Sequence, residues 1–441
     1  MRDYLSVLST LALLLLCSAA IVSAGDYTVA SLDDALKLGM SRNPRLTESA
    51  RRIDEAQEGI KRNRALFYPT ASFMTGLYSR DAVFTIDPRL LQGLEKDPGF
   101  WFGYTGEIYA RFQIDQSIYA GGRNMTSLRL AHREQELQNE RDRLLRLDLG
   151  VTITRQYYAV LLAQHVHKIK QELIEQNRRH LADVEKRLEA GDVSRFDLLR
   201  AQVQLANLTP EEIRARNDVD LAMAQLKNTL GVAQTDALAV SGEIECQPER
   251  PDLSTAVRAA AENRPELRIA RLTREIREQS ERVARAGYKP TVGAFFSEEL
   301  RSDALNTLFT DRHSNWTFGL LVTVPVLNIP SFHQAHQEKL KAAQARIQED
   351  QAWRDIEVEV IQAGLELQRA AEVIESQKHN VAQAQEAIAI ANISYANGVV
   401  TNLELMDTQI ALEEARIHYV TAVHDYLVGW ALYKKAIGEQ P

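Results

Sequence analysis

Glu404 and Asp407 lie three residues apart, a spacing that sets both carboxylates on one face of a helix. Carboxylates so placed can attract cations and raise one another's pKa, and they can equally serve the first turn of a helix, where the backbone dipole favours negative charge. His333 and His336 have the same spacing and could ligate a metal, but two ligands make an incomplete site, and a solvated surface pair explains them as well. His165 and His167 are two apart and face different ways. The sequence contains no HExxH, no phosphate-binding glycine loop and no nucleophile elbow. No catalytic, cofactor-binding or metal-binding residue is assigned, and the chain is read as a non-enzyme. What the acidic pair does therefore depends on the elements that carry it.

With 52 Lys and Arg against 60 Asp and Glu the net charge is −8, and 45% of residues are apolar. That is a folding chain, and its acidic balance argues against a nucleic-acid partner, which rewards clustered Lys and Arg. Mean hydropathy is −0.29, and beyond the amino terminus no uncharged apolar run has spanning length, which excludes a polytopic helical membrane protein. Any membrane-embedded part must be built of strands. Residues 5–24 carry no charge and end in Val22-Ser23-Ala24. This reads as a secretory signal, residues 1–24, cut after Ala24; a retained anchor is the alternative, because the basic segment is limited to Arg2 beside Asp3. Cys17 follows Leu16, where lipid modification needs a small residue, so acylation is disfavoured. The mature chain keeps only Cys246 and has no intrachain disulfide.

The sequence repeats. Leu32, Ala35, Pro44, Leu46, Arg64, Ala65, Pro69 and Thr70 recur 221 residues later as Leu253, Ala256, Pro265, Leu267, Arg285, Ala286, Pro290 and Thr291. Gly191, Leu198, Gln202, Leu205 and Gly231 recur 207 residues later as Gly398, Leu405, Gln409, Leu412 and Gly438. Two copies of one unit are expected, residues 25–230 and 252–438, with a linker over 231–251 and a tail at 439–441. Each copy reads as a short helix, a helix after Pro, two strands, a very long helix, a reversal at Gly and a further helix.

The strands are read from alternation. Over 104–118 the even positions include Tyr104, Ile108, Phe112, Ile114 and Ile118, and the odd ones Thr105, Glu107, Arg111, Gln113 and Asp115. One face suits lipid and the other water. In the second copy Trp316, Phe318, Leu320, Val322, Val324 and Val326 oppose Thr317, Gly319 and Thr323, and residues 69–79 and 290–297 supply partner strands. Ile108, Phe112, Ile114, Phe318, Leu320 and Val322 are the expected lipid-facing residues. About 9 to 11 residues cross a bilayer as a tilted strand, and Trp101, Phe102, Tyr104 and Trp316 suit an interfacial girdle. A soluble sandwich with one buried face is the alternative.

Trp353, Val360, Leu367, Ile374, Val381, Ile388 and Tyr395 fall at unbroken seven-residue steps, as do Leu130, Leu137, Leu144, Val151 and Tyr158, and Leu405, Leu412, Tyr419, Tyr426 and Tyr433. That period predicts left-handed coiled coils. Helices over 124–189 and 331–396 would each be about 100 Å long at 1.5 Å per residue, beyond what a compact domain needs. The shorter ones, 44–68 with 194–230 and 265–289 with 401–437, are expected to stack end to end and match them, giving four columns per chain. Thr209-Pro210-Glu211-Glu212 predicts a kink or a fresh helix start with Thr209 as cap. Four strands cannot close a barrel, and lipid does not tolerate an open edge, so several chains must share one. Three chains give twelve strands and twelve columns; two or four also satisfy closure.

The order of elements, the Asn43-Pro44 and Arg264-Pro265 helix starts, Tyr119-Ala120-Gly121-Gly122 after the second strand, Val324-Pro325-Val326-Leu327 at its counterpart, and the two reversals together resemble the TolC family of outer-membrane efflux proteins. The likeness covers nearly all of the mature chain. It implies a mainly α fold with membrane β: a homotrimer whose twelve-stranded β-barrel continues into a twelve-column α-helical barrel in the periplasm of a Gram-negative cell. It implies passive conduction for a tripartite efflux pump or type I secretion system, with outer-membrane lipid, a periplasmic adaptor and an inner-membrane pump as partners, and no cofactor. By position it assigns Tyr395, Glu404, Asp407 and Asp197 to a periplasmic aperture, where six carboxylates from Glu404 and Asp407 would converge and favour cations. It assigns the reversal residues Ala190, Gly191, Asp192, Asn397, Gly398 and Val399 to adaptor-contacting tips. Val400 stands where some members carry a basic gate residue, so a salt-bridge lock does not carry over. The competing reading is an exported coiled-coil spacer or adaptor with a soluble β domain. The cargo is not legible, because a duct needs no specific pocket.

Overall fold

The computed structural model describes residues 26–79, 84–85, 101–102, 106–249, 251–302, 308 and 314–441. The expected signal segment 1–24 with Cys17 lies outside them, as do Tyr104, Thr105 and the side chains of Trp101 and Phe102. In chain order the elements are β1 (Asp26–Val29), α1 (Leu32–Arg42), α2 (Pro44–Ala65), β2 (Thr70–Ser79), β3 (Phe84–Thr85), β4 (Trp101–Phe102), β5 (Gly106–Ala120), α3 (Arg123–Ala190) and α4 (Arg195–Leu230). They continue as β6 (Ala237–Val240), α5 (Leu253–Asn263), α6 (Pro265–Arg285), β7 (Thr291–Ser302), β8 (Ser314–Thr323), α7 (Ile329–Ala396) and α8 (Asn402–Ala436).

Four expectations need correction. First, α4 runs without a break through Pro210. Thr209 caps nothing; its hydroxyl donates back to the Leu205 carbonyl at 3.1 Å. Directly after the proline, Lys170 and His167 of α3 donate to Glu211 and Glu212 at 2.7 and 2.8 Å. These tertiary bonds offset the roughly 3 kcal/mol that an interior proline costs a helix. Second, α2 and α6 stop at Ala65 and Arg285, because Pro69 and Pro290 force the residue before them out of the helical region. The short helices have 22 and 36 residues in one copy and 21 and 35 in the other, so neither pair reaches the 68 residues of its long helix. Third, β8 ends at Thr323 ahead of Pro325, leaving Val324 and Val326 outside it, whereas β7 extends to Ser302. Fourth, the expected linker contains β6, which pairs in parallel with β1 through Val29 and Val240.

The chain divides into two compact units that each draw on both sequence copies: residues 1–48, 142–265 and 353–441, and residues 49–141 and 266–352. The second unit holds a four-stranded antiparallel sheet in the order β2-β5-β7-β8, whose outer strands β2 and β8 each keep one edge unpaired among the described residues. Cross-strand partners share a face. Ala71, Ile114, Phe296 and Phe318 make one row, and Phe73, Phe112, Glu298 and Trp316 the next. On the other face Ser72, Gln113, Ser297 and Thr317 align, and Arg111 Nε donates to Glu299 at 2.5 Å. A register shift between Ser117 and Tyr119 sets Tyr119 beside Val292, in the row of Val322.

In the first unit the heptad positions Val151, Val360, Leu367, Ile374, Ile388, Leu405, Tyr426 and Tyr433 are buried. Leu173 and Ile174 of α3 pack on Leu205 and Leu208 of α4, and Ile388 and Ala391 of α7 on Leu405 of α8. Between these pairs α3 meets α8 through Glu172 with Arg416 at 3.4 Å and Lys170 with Glu413. The order across this layer is α4, α3, α8, α7, with α4 and α7 outermost.

Candidate functional site

Both long helices end in the same device. Gly191 and Gly398 take the left-handed conformation at φ 84° and 72°. The Asp192 amide donates to the Arg187 carbonyl at 2.9 Å and the Val399 amide to the Ser394 carbonyl at 2.8 Å, the bond that closes a helix on a left-handed residue. Nothing lies within 4 Å of a Cβ added at either glycine, so backbone conformation alone selects the residue. Ala190, Gly191, Asp192, Asn397, Gly398 and Val399 are all exposed.

The returning helices start in matching capping boxes. The Ser194 amide donates to Asp197 and the Asp197 amide to Ser194 Oγ, both at 3.2 Å. The Thr401 amide donates to Glu404 at 2.7 Å and the Glu404 amide to Thr401 Oγ1 at 3.3 Å. Asp197 and Glu404 thus occupy one position, 207 residues apart, and each carboxylate serves its own helix start. The Thr401 amide, and then its hydroxyl, hold Glu404 below the usual carboxylate range. Asp407, one turn on, is exposed and has no hydrogen bond or ion pair among the described residues.

Tyr395 sits behind these tips, half-buried. Arg187 lies over its ring at 5.0 Å, and the His180 ring is 5.4 Å away. Burial pushes the Tyr395 phenol up; Arg187 opposes this, and Asp183 and Asp197 add to it. His180 is itself buried, and its Nε2 donates to Asn402 Oδ1 at 2.6 Å while the Asn402 amide donates to the Asp197 carbonyl at 3.4 Å. The structure therefore gathers Tyr395, Asp197 and the start of α8 around His180, and leaves Glu404 and Asp407 on the exposed side. His180, Arg187 and Asn402 were missed in the sequence. The His180–Asn402 and Asn402–Asp197 bonds link residues 222 and 205 positions apart and leave no local pattern.

On the sheet, all six residues expected to face lipid share one face. Phe318, Leu320 and Val322 are 64, 65 and 61% exposed, and on the same face Phe73, Leu77 and Trp316 are as open. Among the described residues no helix is long and apolar enough to cross a membrane, and no three His, Cys, Asp or Glu side chains are placed to hold a metal. His333 and His336 are both exposed.

The sequence pattern of the outer membrane efflux protein family matches residues 35–232 and again 256–439. The chain belongs to that family. It is 26% identical over 300 residues to alkaline protease secretion protein AprF of Pseudomonas aeruginosa, a match covering 67% of this chain and 62% of AprF. With outer membrane protein TolC of Escherichia coli it shares 24% identity over 411 residues, 90% of this chain and 80% of TolC. Its fold is that of the transmembrane channel CusC, with a TM-score of 0.79 at 18% identity over 96% of each chain. Membership places the protein in the outer membrane as an export channel.

Proposed function

We propose that three copies of this chain assemble into a passive exit duct, closing a twelve-stranded barrel in the outer membrane above a helical tunnel in the periplasm. The observation that carries this reading is the uncovered apolar face of a sheet with two unpaired edges. In water such a face is a liability of several large side chains, and in lipid it is the required surface. Pairing β8 of one copy with β2 of the next removes every edge.

The helical layer supports the same closure. Its outer members carry exposed apolar side chains at helical spacing and at the same height near the tips, Phe196, Leu199 and Val203 on α4 and Ile390 and Ile393 on α7. Two different stripes at opposite edges make a head-to-tail contact, which closes into a ring. Tyr395 and Asp197 then form the gate region, Glu404 and Asp407 line the aperture, and the exposed reversals dock a periplasmic adaptor linked to an inner-membrane transporter, which supplies the energy. The duct serves efflux or, as the name of AprF suggests, protein secretion.

The test is fractionation followed by native mass measurement in detergent, with and without boiling. A heat-sensitive trimer in the outer-membrane fraction is expected. A soluble periplasmic monomer or dimer would overturn the duct and leave the coiled-coil spacer, and a dimer or tetramer in the membrane would overturn the count of three.

A further inference from the structure

The second unit contains a solvent-open groove of about 650 Å³ lined by α2, α3, α6 and α7, at the end of the sheet where strands give way to helices. Three arginines from three of these helices line it: Arg62, Arg123 and Arg277. Arg123 and Arg277 have no hydrogen bond or ion pair among the described residues. Arg62 interacts with Glu134 through space only. The groove's other acid, Glu338, is bound by Lys341 at 2.8 Å. Two guanidinium charges are therefore uncompensated in a chain whose net charge is −8. Ser127 and Ser331 add hydroxyl donors to the same walls, while Ser280 Oγ donates to the Ile276 carbonyl at 2.9 Å.

We infer that this groove binds a phosphate-class anion. Guanidinium groups present paired N–H donors that fit two oxygens of a phosphate at once, and hydroxyls take the remaining ones. Convergent donors from separate helices are what distinguish a site from scattered surface charge. Burial raises the pKa of Glu134, against the pull of Arg62, which lowers the cost of protonating this carboxylate as an anion enters. Two sources share this chemistry. A phospholipid headgroup of the inner leaflet would lie at this level if the sheet spans the bilayer, a source that rests on the duct reading. A free phosphate-bearing solute needs no such placement.

The experiment uses the full-length protein purified in a neutral detergent. Arginine modification by phenylglyoxal is followed residue by residue by peptide mass, with inorganic phosphate or dihexanoyl phosphatidylglycerol added against chloride at equal ionic strength. Arg369, exposed and paired with Glu366, is the internal reference. At a saturating concentration, where roughly one site in ten is free, modification of Arg123 and Arg277 is expected to slow about tenfold while Arg369 is unaffected. Protection at lower concentration by the lipid than by phosphate identifies a headgroup site; equal or better protection by phosphate identifies a free solute. Absence of protection by either probe, or equal protection of Arg369, overturns the site. Calorimetric phosphate binding lost in R123Q/R277Q is a second readout, and the wild-type protection needs no variant. Oligomer mass is read on the same sample, so failure of the duct and failure of the anion site are separate results.

Discussion

Exchanging Phe318 for lysine tests the membrane reading directly, with Thr317→Lys as its partner. The two positions are neighbours on β8, so edge position and backbone pairing are nearly the same, but they point to opposite faces. Phe318 continues the row of Ala71, Ile114 and Phe296, and Thr317 that of Ser72, Gln113 and Ser297. Phe318 is the fifth of ten strand residues and so lies near mid-membrane if the strand spans. A lysine on the lipid face there costs about 2–4 kcal/mol, which is roughly 30- to 800-fold in the folded population. On the opposite face it meets water and costs within about 0.5 kcal/mol. If the sheet were soluble, Phe318 would already be 64% exposed to water, and lysine would cost no more than at Thr317. The assay is urea unfolding in vesicles, read by heat-modifiable mobility. A midpoint shift confined to Phe318→Lys is expected; equal shifts in the two variants would refute the assignment of faces.

At the reversal, Gly398→Ala is expected to cost about 1–2 kcal/mol from conformation alone. Gly438→Ala should cost about 1–3 kcal/mol more, because its Cβ would meet the Asn263 carbonyl carbon at 2.6 Å; thermal unfolding of the two variants ranks them. Lys170→Met leaves Glu413, 6% exposed, without its cation and should cost about 3–5 kcal/mol. Burial pulls the Lys170 pKa down, but Glu211 and Glu413 outweigh it and the net shift is upward, so its stabilisation is complete below the ordinary lysine value and fades as pH rises through the raised one. Alkaline unfolding of wild type should show that loss and Lys170→Met should not. In single-channel recordings Asp407→Asn should reduce cation preference without moving the unfolding midpoint, whereas Glu404→Ala should lower both; unchanged selectivity in both variants would remove them from the aperture.

Much of the architecture was legible because it rests on short-range rules. Alternation assigned the faces of the sheet up to Ser117, since side chains on a strand reverse at every step, but not past the register shift that puts Tyr119 in the row of Val322; the seven-residue steps located Val360, Leu367, Ile374 and Ile388 in the core. The misreadings arose where distant contacts override local preference. Pro210 signals a helix start when read alone, yet α3 reaches across to hold Glu211 and Glu212 and the helix continues. β6 was missed for a similar reason: Ala237–Val240 is four residues long, and only its pairing with β1 makes it a strand. The His180 cluster joins chain segments about 200 residues apart, and its members carry no shared spacing.

The duplication separates structural from functional demands at the tips. Positions that the backbone needs are alike in both copies: Gly191 and Gly398 supply the left-handed turn, Ser194 and Thr401 the cap, Asp197 and Glu404 the acid that completes the box. Their acidity alone is therefore no argument for an aperture, since a helix start asks for it whatever lies in front. The next turn is different, because no capping bond reaches it. There the copies diverge, with Arg200 in one and Asp407 in the other. Arg200 lies over the Phe196 ring at 6.0 Å, while Asp407 is left exposed. A charge that the fold does not use, and that one copy keeps while the other reverses it, is better evidence for a role in conduction than the neighbouring Glu404.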